Sequence, residues 1–396
     1  MDFNFMSPTV LENPYPYYAQ LRHDAPVYWI EPMQAWAISR YDEVFFVLRN
    51  PQLFSSARWW QATSAQDMDP ALEAPHIMAS DPPVHTRLRK LINRAFTPRL
   101  VAELEPRIRT ITNDLFDQMA AREQLDFMRD LAIPLPVTVI AELLGIEKER
   151  QDDFRRWTDS FVATVGGMGT ETMNAQARQD LAEFHAYFRQ MIEKRHKEPK
   201  GDLISGMVRA QEEGQMLTSG EVFNLATFLL LAGNETTANL IGNTILAMLQ
   251  HPQETAKVRA NPALLPNLVE EGLRYDSPIQ IIPRHAVKDV EIGGKMIPAG
   301  AAVLVMLASA NRDERIFSEP NRFDVTRDNA KEHLAFGFGI HFCLGAQLAR
   351  LEGQAALETL LARYPRLSLR EDGLERDVSA FIPRGLRKLP ARNGHA

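Results

Sequence analysis

The sequence contains only one cysteine, Cys343, among its 396 residues. A single cysteine cannot form an internal disulfide, and alone it cannot build the tetrahedral zinc or iron–sulfur sites that need several Cys or His ligands. The chain also lacks repeats, low-complexity tracts and Gly/Ser/Pro-rich linkers that would separate domains. We therefore expect a single domain over residues 1–396, although this length alone allows two or three.

Long apolar runs are absent as well. The apolar stretch Phe228–Gly233 is far shorter than the roughly 18 residues that a membrane span needs. Residues 1–16 contain acids and prolines but no apolar core of a signal peptide. A formal net charge of −7 gives no support for a nucleic-acid partner. These features predict a cytoplasmic protein with neither a membrane nor a nucleic-acid partner.

The single cysteine lies in a loop punctuated by glycines, Phe336–Gly345, which runs into a helical segment, Ala346–Leu361. Gly339 permits backbone conformations that side chains forbid, and Gly345 lets the first helical turn lie close to a flat group. Backbone N–H groups at a helix start favour the thiolate, which is the form that ligates metal. A lone cysteine is most often an inert buried side chain, but this setting predicts a ligand to a metal that a macrocycle already holds.

The pattern Phe-x-x-Gly-x-x-x-Cys-x-Gly over residues 336–345 resembles the haem-binding signature of the cytochrome P-450 family. The resemblance implies haem b (iron protoporphyrin IX) as cofactor, with the Cys343 thiolate as the proximal iron ligand. It also implies that Phe336 packs beside the sulfur, that Gly345 lies against the haem and that His341 contacts a propionate. The alternative for His341 is a solvated loop histidine.

A second motif lies in a predicted long helix. Thr218-Ser219-Gly220-Glu221 is a capping box, and nothing breaks the segment before His251-Pro252, so the helix spans on the order of 45 Å and crosses the core. Within it, Ala232-Gly233-x-Glu235-Thr236-Thr237 resembles the family's oxygen-binding segment. The resemblance assigns to Glu235 and Thr236 the delivery of protons to dioxygen. The alternative for Thr236 is a hydrogen bond back to the carbonyl four residues earlier.

Basic side chains provide candidate haem-propionate anchors. Asp81 is a predicted N-cap, followed by a proline in the first turn and by His85 and Arg89 on one helix face. In the family, His and Arg at these positions hold propionates, and Arg284 resembles a third anchor that comes from a strand. The alternative is a solvated basic helix face.

Glu271-Gly272-Leu273-Arg274, together with Pro320-Asn321-Arg322-Phe323, resembles the family's Glu/Arg/Arg clamp. The resemblance gives Glu271, Arg274 and Arg322 a structural role in fixing the region that leads to the cysteine loop.

The predicted fold class is mainly α with small β-sheets, and by resemblance it is the cytochrome P-450 fold with a long central helix over the haem. Strands are predicted at Pro26–Ile30, Ala35–Ile38 and Val290–Gly294 from their β-branched and aromatic residues. Aromatic and apolar segments that include Trp59-Trp60, His76–Met78 and Phe381-Ile382 predict a hydrophobic substrate pocket.

The resemblance implies a monooxygenase that inserts one oxygen atom from dioxygen into a hydrophobic, mid-sized organic molecule. No Gly-rich nucleotide fingerprint indicates a fused reductase, so electrons are expected from a ferredoxin or flavodoxin served by an NAD(P)H reductase. The candidate basic contacts for this donor are Arg87, Lys90, Arg94 and Arg350. The alternatives are a peroxide-driven peroxygenase, a non-catalytic haem sensor or carrier, and a monooxygenase whose substrate is bound to a carrier protein.

Overall fold

The computed structural model describes residues 4–57, 74–120, 122, 124–166, 175–212 and 217–393. The predicted pocket residues Trp59 and Trp60 lie outside these ranges. The chain forms two compact units. Unit 1 comprises residues 1–55, 107–135 and 236–396, and unit 2 comprises residues 56–106 and 136–235.

Helices are the main elements of both units. Their bounds, in chain order, are α1 Pro8–Glu12, α2 Tyr15–Asp24, α3 Tyr41–Arg49, α4 Val84–Ala95, α5 Pro98–Met119, α6 Pro134–Leu144, α7 Gln151–Gly166, α8 Ala175–Lys197, α9 Leu203–Glu212, α10 Ser219–Gln250, α11 Pro252–Ala260, α12 Leu265–Tyr275, α13 Leu307–Ala310 and α14 Ala346–Arg363. None of the helices that the structure describes is long and apolar enough to cross a membrane.

The described strands are short and all belong to unit 1. They are β1 Val27–Ile30, β2 Ala35–Ile38, β3 Phe54–Ser55, β4 Gln124–Asp126, β5 Ile282–Ala286, β6 Val290–Ile292, β7 Lys295–Ile297, β8 Ala302–Val305, β9 Leu367–Leu369, β10 Glu375–Arg376, β11 Leu386–Lys388 and β12 Pro390–Asn393. The predicted class of many helices with small sheets is confirmed. So are the three predicted strands, which are β1, β2 and β6.

The largest sheet has five strands in the order β1-β2-β8-β5-β3. β2 pairs in parallel with β8, and β8 pairs antiparallel with β5, so that Arg284 lies opposite Val303. Val44 and Val47 of α3 share one buried apolar cluster with Val303 and Val305 of β8. Burial of these apolar side chains packs α3 against the sheet.

Every described element of regular secondary structure in unit 2 is a helix. Gly206 of α9 allows close packing on α4, because a Cβ at this position would lie 3.1 Å from Ala95 Cβ. Phe184 and Phe188 of α8 each pack edge-on against Phe223 of α10, with ring centroids 6.5 Å apart. These contacts hold the first half of α10 within unit 2.

The predicted long helix is confirmed as α10, which has 32 residues. Its capping box is also present: Glu221 N donates to Thr218 Oγ1 at 3.2 Å, and Thr218 N donates to Glu221 Oε2 at 2.8 Å. The same carboxylate pairs with Arg87 of α4. The start of α10 is therefore fixed by a cap and by an ion pair to a neighbouring helix.

Candidate active site

The Cys343 loop is shaped by two glycines with a left-handed backbone, Gly337 at φ 69° and Gly339 at φ 72°. A Cβ on Gly339 would lie 2.8 Å from the carbonyl oxygen of Leu48 in α3, so only glycine fits this close approach. Cys343 N donates to the carbonyl oxygen of Phe336 at 2.9 Å and closes the loop. The sequence pattern thus produces a compact loop in which Cys343 is half-buried.

The surroundings of Cys343 fit a thiolate ligand beside a flat group. Gly345 is the N-cap of α14, and a Cβ built on it would meet no heavy atom of the described residues within 4 Å. Residues 334–349 contain no carboxylate, and the first turn of α14 has none. The N–H groups and positive dipole end of α14 therefore act on the cysteine without competition from a nearby acid in sequence. The residues present fit haem.

Phe336 and His341 are both half-buried in this loop. The Arg350 guanidinium of α14 lies over the Phe336 ring, 4.5 Å from its centroid. His341 lies in the short 3-10 helix Gly339–His341. Arg284 lies on β5, as predicted for a strand residue, and its Nη1 donates to the carbonyl oxygen of Pro283 at 2.7 Å.

The middle of α10 is buried except along one stripe. Between residues 221 and 248, the half-buried residues among those with described burial are Phe228, Ala232, Gly233, Glu235 and Thr236. Their spacing of three and four residues places them along one side of the helix. Glu235 and Thr236 therefore share this side with the two small residues of the motif.

Asn234 and Thr237, which flank the acid–alcohol pair, are only 5% and 4% exposed. Neither Oδ1 nor Nδ2 of Asn234 has a hydrogen-bond partner among the described residues. An amide buried in this way is costly. Residue 234 is the variable position of the sequence motif, so the motif gives no reason for an asparagine there.

His85 and Arg89 lie one turn apart on α4, with His85 buried at 2% exposure and Arg89 half-buried. The predicted N-cap role of Asp81 is wrong. The helix begins at Val84 after Pro83, which makes no side-chain cap, and Asp81 Oδ1 accepts a hydrogen bond from Ser56 N at 2.9 Å. Asp81 therefore lies two residues before the N-cap, and its carboxylate binds a backbone donor 25 residues away in sequence.

Glu271 and Arg274 of α12 form an ion pair with no exposed side-chain surface, in which Arg274 Nε lies 2.7 Å from Glu271 Oε2. Arg274 Nη1 also donates to the carbonyl oxygens of Asn311 and Pro320. The prediction of Arg322 as the third clamp residue needs correction. Its guanidinium is half exposed and lies 3.2 Å from Glu319, and only its carbonyl oxygen accepts from Arg274.

The second arginine on Glu271 is Arg327, whose side chain is 6% exposed and whose Nε lies 3.2 Å from Oε2. Sequence reasoning missed it because two arginines stand in the same loop and the motif points to the first. It also missed Glu270 and His333, which lie 3.2 Å apart although 63 residues separate them. The only local signal was the position of His333 shortly before Phe336.

The chain is similar to known proteins over nearly its whole length. The family model described as cytochrome P450 matches residues 11–379. The chain is 40% identical to the vitamin D(3) 25-hydroxylase of Pseudonocardia autotrophica over 400 residues, which cover 99% of this chain and 96% of that protein.

Two solved structures show the same fold. The structure of cytochrome P450 CYP109Q5 from Chondromyces apiculatus is 43% identical, has a TM-score of 0.92 and covers 100% of this chain and 98% of that chain. CYP109E1 from Bacillus megaterium, solved in complex with testosterone, is 36% identical, has a TM-score of 0.87 and covers 97% of this chain and 100% of that chain.

Proposed function

Since this chain belongs to the cytochrome P450 family and is a monooxygenase of that family, we propose that it inserts one oxygen atom from dioxygen into a hydrophobic, mid-sized substrate by hydroxylation or epoxidation. The observation that carries this proposal is the position of Cys343 just before α14. It lies two residues before Gly345, where the described residues leave the place of a Cβ free. The family uses haem b, which when bound supplies the iron at which dioxygen is activated by two electrons and two protons.

In this proposal Cys343 binds the iron as a thiolate, and Phe336 packs beside its sulfur. Arg284 and His341 are proposed to bind a haem propionate, because guanidinium and imidazole groups donate strong hydrogen bonds to carboxylates. The same role for His85 and Arg89 stays a prediction from their motif. Each assignment depends on the motif together with the position of the residue on its element. The clamp of Glu271, Arg274 and Arg327 holds the segment that leads to the loop.

Glu235 and Thr236 are the proposed proton-delivery pair. They lie on the half-buried stripe of α10 together with the two small residues Ala232 and Gly233. A carboxylate takes up protons from water and passes them on, and the neighbouring hydroxyl both donates and accepts. The apolar residues of the helix around them limit access of bulk water to the reacting oxygen.

We infer that electrons come from a ferredoxin or flavodoxin served by a separate NAD(P)H reductase. Two of the predicted basic contacts already have partners, because Arg87 pairs with Glu221 and Arg350 with Glu270. Among the described residues, the only exposed large aromatic side chains are Phe338 and Phe342 of the cysteine loop.

Phe338 packs on Phe45 with ring centroids 4.4 Å apart, and exposed Arg49 lies over the Phe45 ring. This combination of exposed aromatic and basic groups is suited to a small acidic electron carrier. Arg49→Glu is expected to slow reduction by an acidic ferredoxin while leaving the Soret shift caused by substrate unchanged. Equal reduction rates at low salt would argue against this contact.

The substrate class we propose is steroid-like. One relative is named as a vitamin D(3) 25-hydroxylase, and one of the similar structures was solved with testosterone. Both names favour a steroid with closed or opened rings as the substrate. The apolar residues Phe381 and Ile382 form a segment that is predicted to line the pocket, and they belong to unit 1. Polyketides, terpenoids and fatty acids form the comparison set.

The test begins with titration of the purified ferric protein with testosterone, vitamin D3, a macrolide and a fatty acid, while the Soret band is followed. A blue shift with the steroids, followed by a product that contains one added oxygen when NAD(P)H, ferredoxin and reductase are supplied, supports the proposal. Product formation with hydrogen peroxide alone would instead indicate a peroxygenase. If a candidate substrate binds but neither condition gives a product, the protein would be a non-catalytic haem carrier or sensor.

Cys343→Ser is the matched control, since it keeps the size of the side chain and removes the thiolate. This variant is expected to lose the thiolate-haem spectrum, and retention of that spectrum would overturn the ligand assignment. The cytoplasmic location stays a prediction. The single domain over residues 1–396 also stays a prediction, although the family model covers parts of both units.

A further inference from the structure

Three charged or polar side chains meet behind the cysteine loop in unit 1. Arg350 of α14 binds Glu270 of α12 in a bidentate pair, with Nε 2.6 Å from Oε1 and Nη2 2.9 Å from Oε2. His333 Nε2 lies 3.2 Å from the same Oε2. The His333 side chain is 1% exposed, that of Glu270 13% and that of Arg350 30%, so the contact between His333 and Glu270 is shielded from water while Arg350 reaches the surface.

The second nitrogen of His333 fixes its tautomer. Nδ1 accepts a hydrogen bond from Ala335 N at 3.1 Å, so the proton of the neutral ring lies on Nε2 and points to Glu270. Burial lowers the pKa of His333 below its usual value, which keeps the ring neutral. Burial opposes ionisation of Glu270, but hydrogen bonds from Arg350 and His333 still hold its pKa at about 2.

Both partners of Glu270 contact Phe336. The Arg350 guanidinium lies over the Phe336 ring at 4.5 Å, and the His333 ring centroid is 5.7 Å from that of Phe336. The carbonyl oxygen of Phe336 in turn accepts from Cys343 N. A chain of direct contacts therefore leads from Glu270 to the backbone of Cys343.

We propose that Glu270 is a positioning residue for the Cys343 ligand, because it holds Arg350 and His333 against Phe336 and its charge cancels that of Arg350 beside the cysteine loop. The inference rests on the proposed ligation of haem by Cys343. It goes beyond the clamp of Glu271, because the two neighbouring carboxylates serve different side chains. Loss of the Glu270 charge would leave the half-buried Arg350 cation without its counter-charge beside Phe336 of the cysteine loop, and would stabilise the more negative, reduced form of the site.

Glu270→Gln tests this in the haem-loaded, full-length protein, because glutamine keeps the size and removes the charge. The readouts are the ferric/ferrous reduction potential, the thiolate-ligated share of the reduced carbon monoxide complex, the haem content and the melting temperature. We expect an upward shift of the potential and a partial loss of the thiolate-ligated signal. Glu270→Asp, which keeps the charge, should lie closer to the wild type in potential.

The double variant Glu270→Gln with Arg350→Gln removes the uncompensated cation. Its potential is expected to return toward that of the wild type. If Glu270 only stabilises the fold, the variants will differ in melting temperature but share the wild-type potential and carbon monoxide spectrum, and the proposal is overturned. If Glu270→Gln does not fold, Arg350→Gln alone provides the test, because it also releases Phe336 and should shift the thiolate-ligated share.

Failure of this inference can be distinguished from failure of the proposed function. A wild-type protein without a thiolate-haem spectrum would refute the ligation by Cys343 itself. A normal wild-type spectrum together with unchanged variants would refute only the role of Glu270.

Discussion

Arg327 donates to Glu271 inside the protein, with its Nε 3.2 Å from Oε2 of a carboxylate that has no exposed surface. The same guanidinium donates to the carbonyl oxygens of Ser318, Glu319 and Arg322. Glu271 Oε1 also accepts from Asp324 N at 2.9 Å. One buried carboxylate and one arginine thus organise the turn between residues 318 and 327.

Arg327→Ala should lower the free energy of unfolding by about 3–5 kcal/mol, because it removes one partner of a buried ion pair and leaves several carbonyls without donors. Arg322→Ala is the matched control, since its guanidinium lies at the surface, and it should change stability by less than about 0.5 kcal/mol. Denaturant unfolding and haem content per chain measure both effects. Equal losses in the two variants would contradict the assignment of the clamp to Arg327.

Thr236→Ala should uncouple NAD(P)H consumption from product formation, because the variant lacks the hydroxyl that is proposed to deliver a proton to dioxygen. The expected result is a lower ratio of product to NAD(P)H with more hydrogen peroxide released, while substrate still shifts the Soret band. Thr236→Ser keeps the hydroxyl and should restore most of the coupling. Unchanged coupling in the alanine variant would refute the proton-delivery role and favour a purely structural hydroxyl.

The sequence correctly predicted those features of the structure that depend only on neighbouring residues in the chain. The capping box of α10 and the glycines around Cys343 both act within a few residues, and both appear in the structure as predicted. Asp81 failed as a cap because its carboxylate binds Ser56 N, a partner 25 residues away.

Partners that tertiary packing brings together could not be read from spacing. Arg322 and Arg327 stand five residues apart in one loop with Phe323 and Val325 buried between them, yet Arg327 is buried and Arg322 is half exposed. Glu270 meets His333 and Arg350 from sequence positions 63 and 80 residues away. The family motif names neither of these contacts.

Glu352 of α14 predicts a pH dependence of stability. Burial raises its pKa from 4.5 to about 8, and Oε2 has no hydrogen-bond partner within the described part of the chain. The folded protein therefore keeps a proton that the unfolded chain releases above about pH 4.5. From there to about pH 8, this group lowers the free energy of unfolding by up to about 1.4 kcal/mol for each pH unit of increase.

Glu352→Gln removes this proton linkage and keeps the shape of the side chain. The stability of the wild type relative to the variant should fall steadily as the pH rises through that range. Denaturant unfolding of both proteins at about four pH values measures the difference. Parallel stability curves would show that Glu352 titrates at its ordinary pKa in the folded protein.

Asn234 and Asn243 provide a matched pair of buried amides on α10, at 5% and 2% exposure. Asn243 Nδ2 donates to the carbonyl oxygens of Asp276 and Arg384 at 3.1 and 3.0 Å. Asn234 makes no side-chain hydrogen bond to the described residues. Variants at the two positions therefore distinguish the free-energy cost of burying an amide from the stabilisation that its hydrogen bonds provide.

Asn234→Leu should leave stability unchanged or raise it by about 1–2 kcal/mol, because leucine has a similar size and no polar atoms to desolvate. Asn243→Leu should lower stability by about 2–3 kcal/mol, because two buried carbonyls lose their donor. Melting temperatures of the haem-loaded variants compare the two. If Asn234→Leu is as destabilising as Asn243→Leu, the Asn234 amide must make hydrogen bonds in the folded protein that offset the cost of its burial.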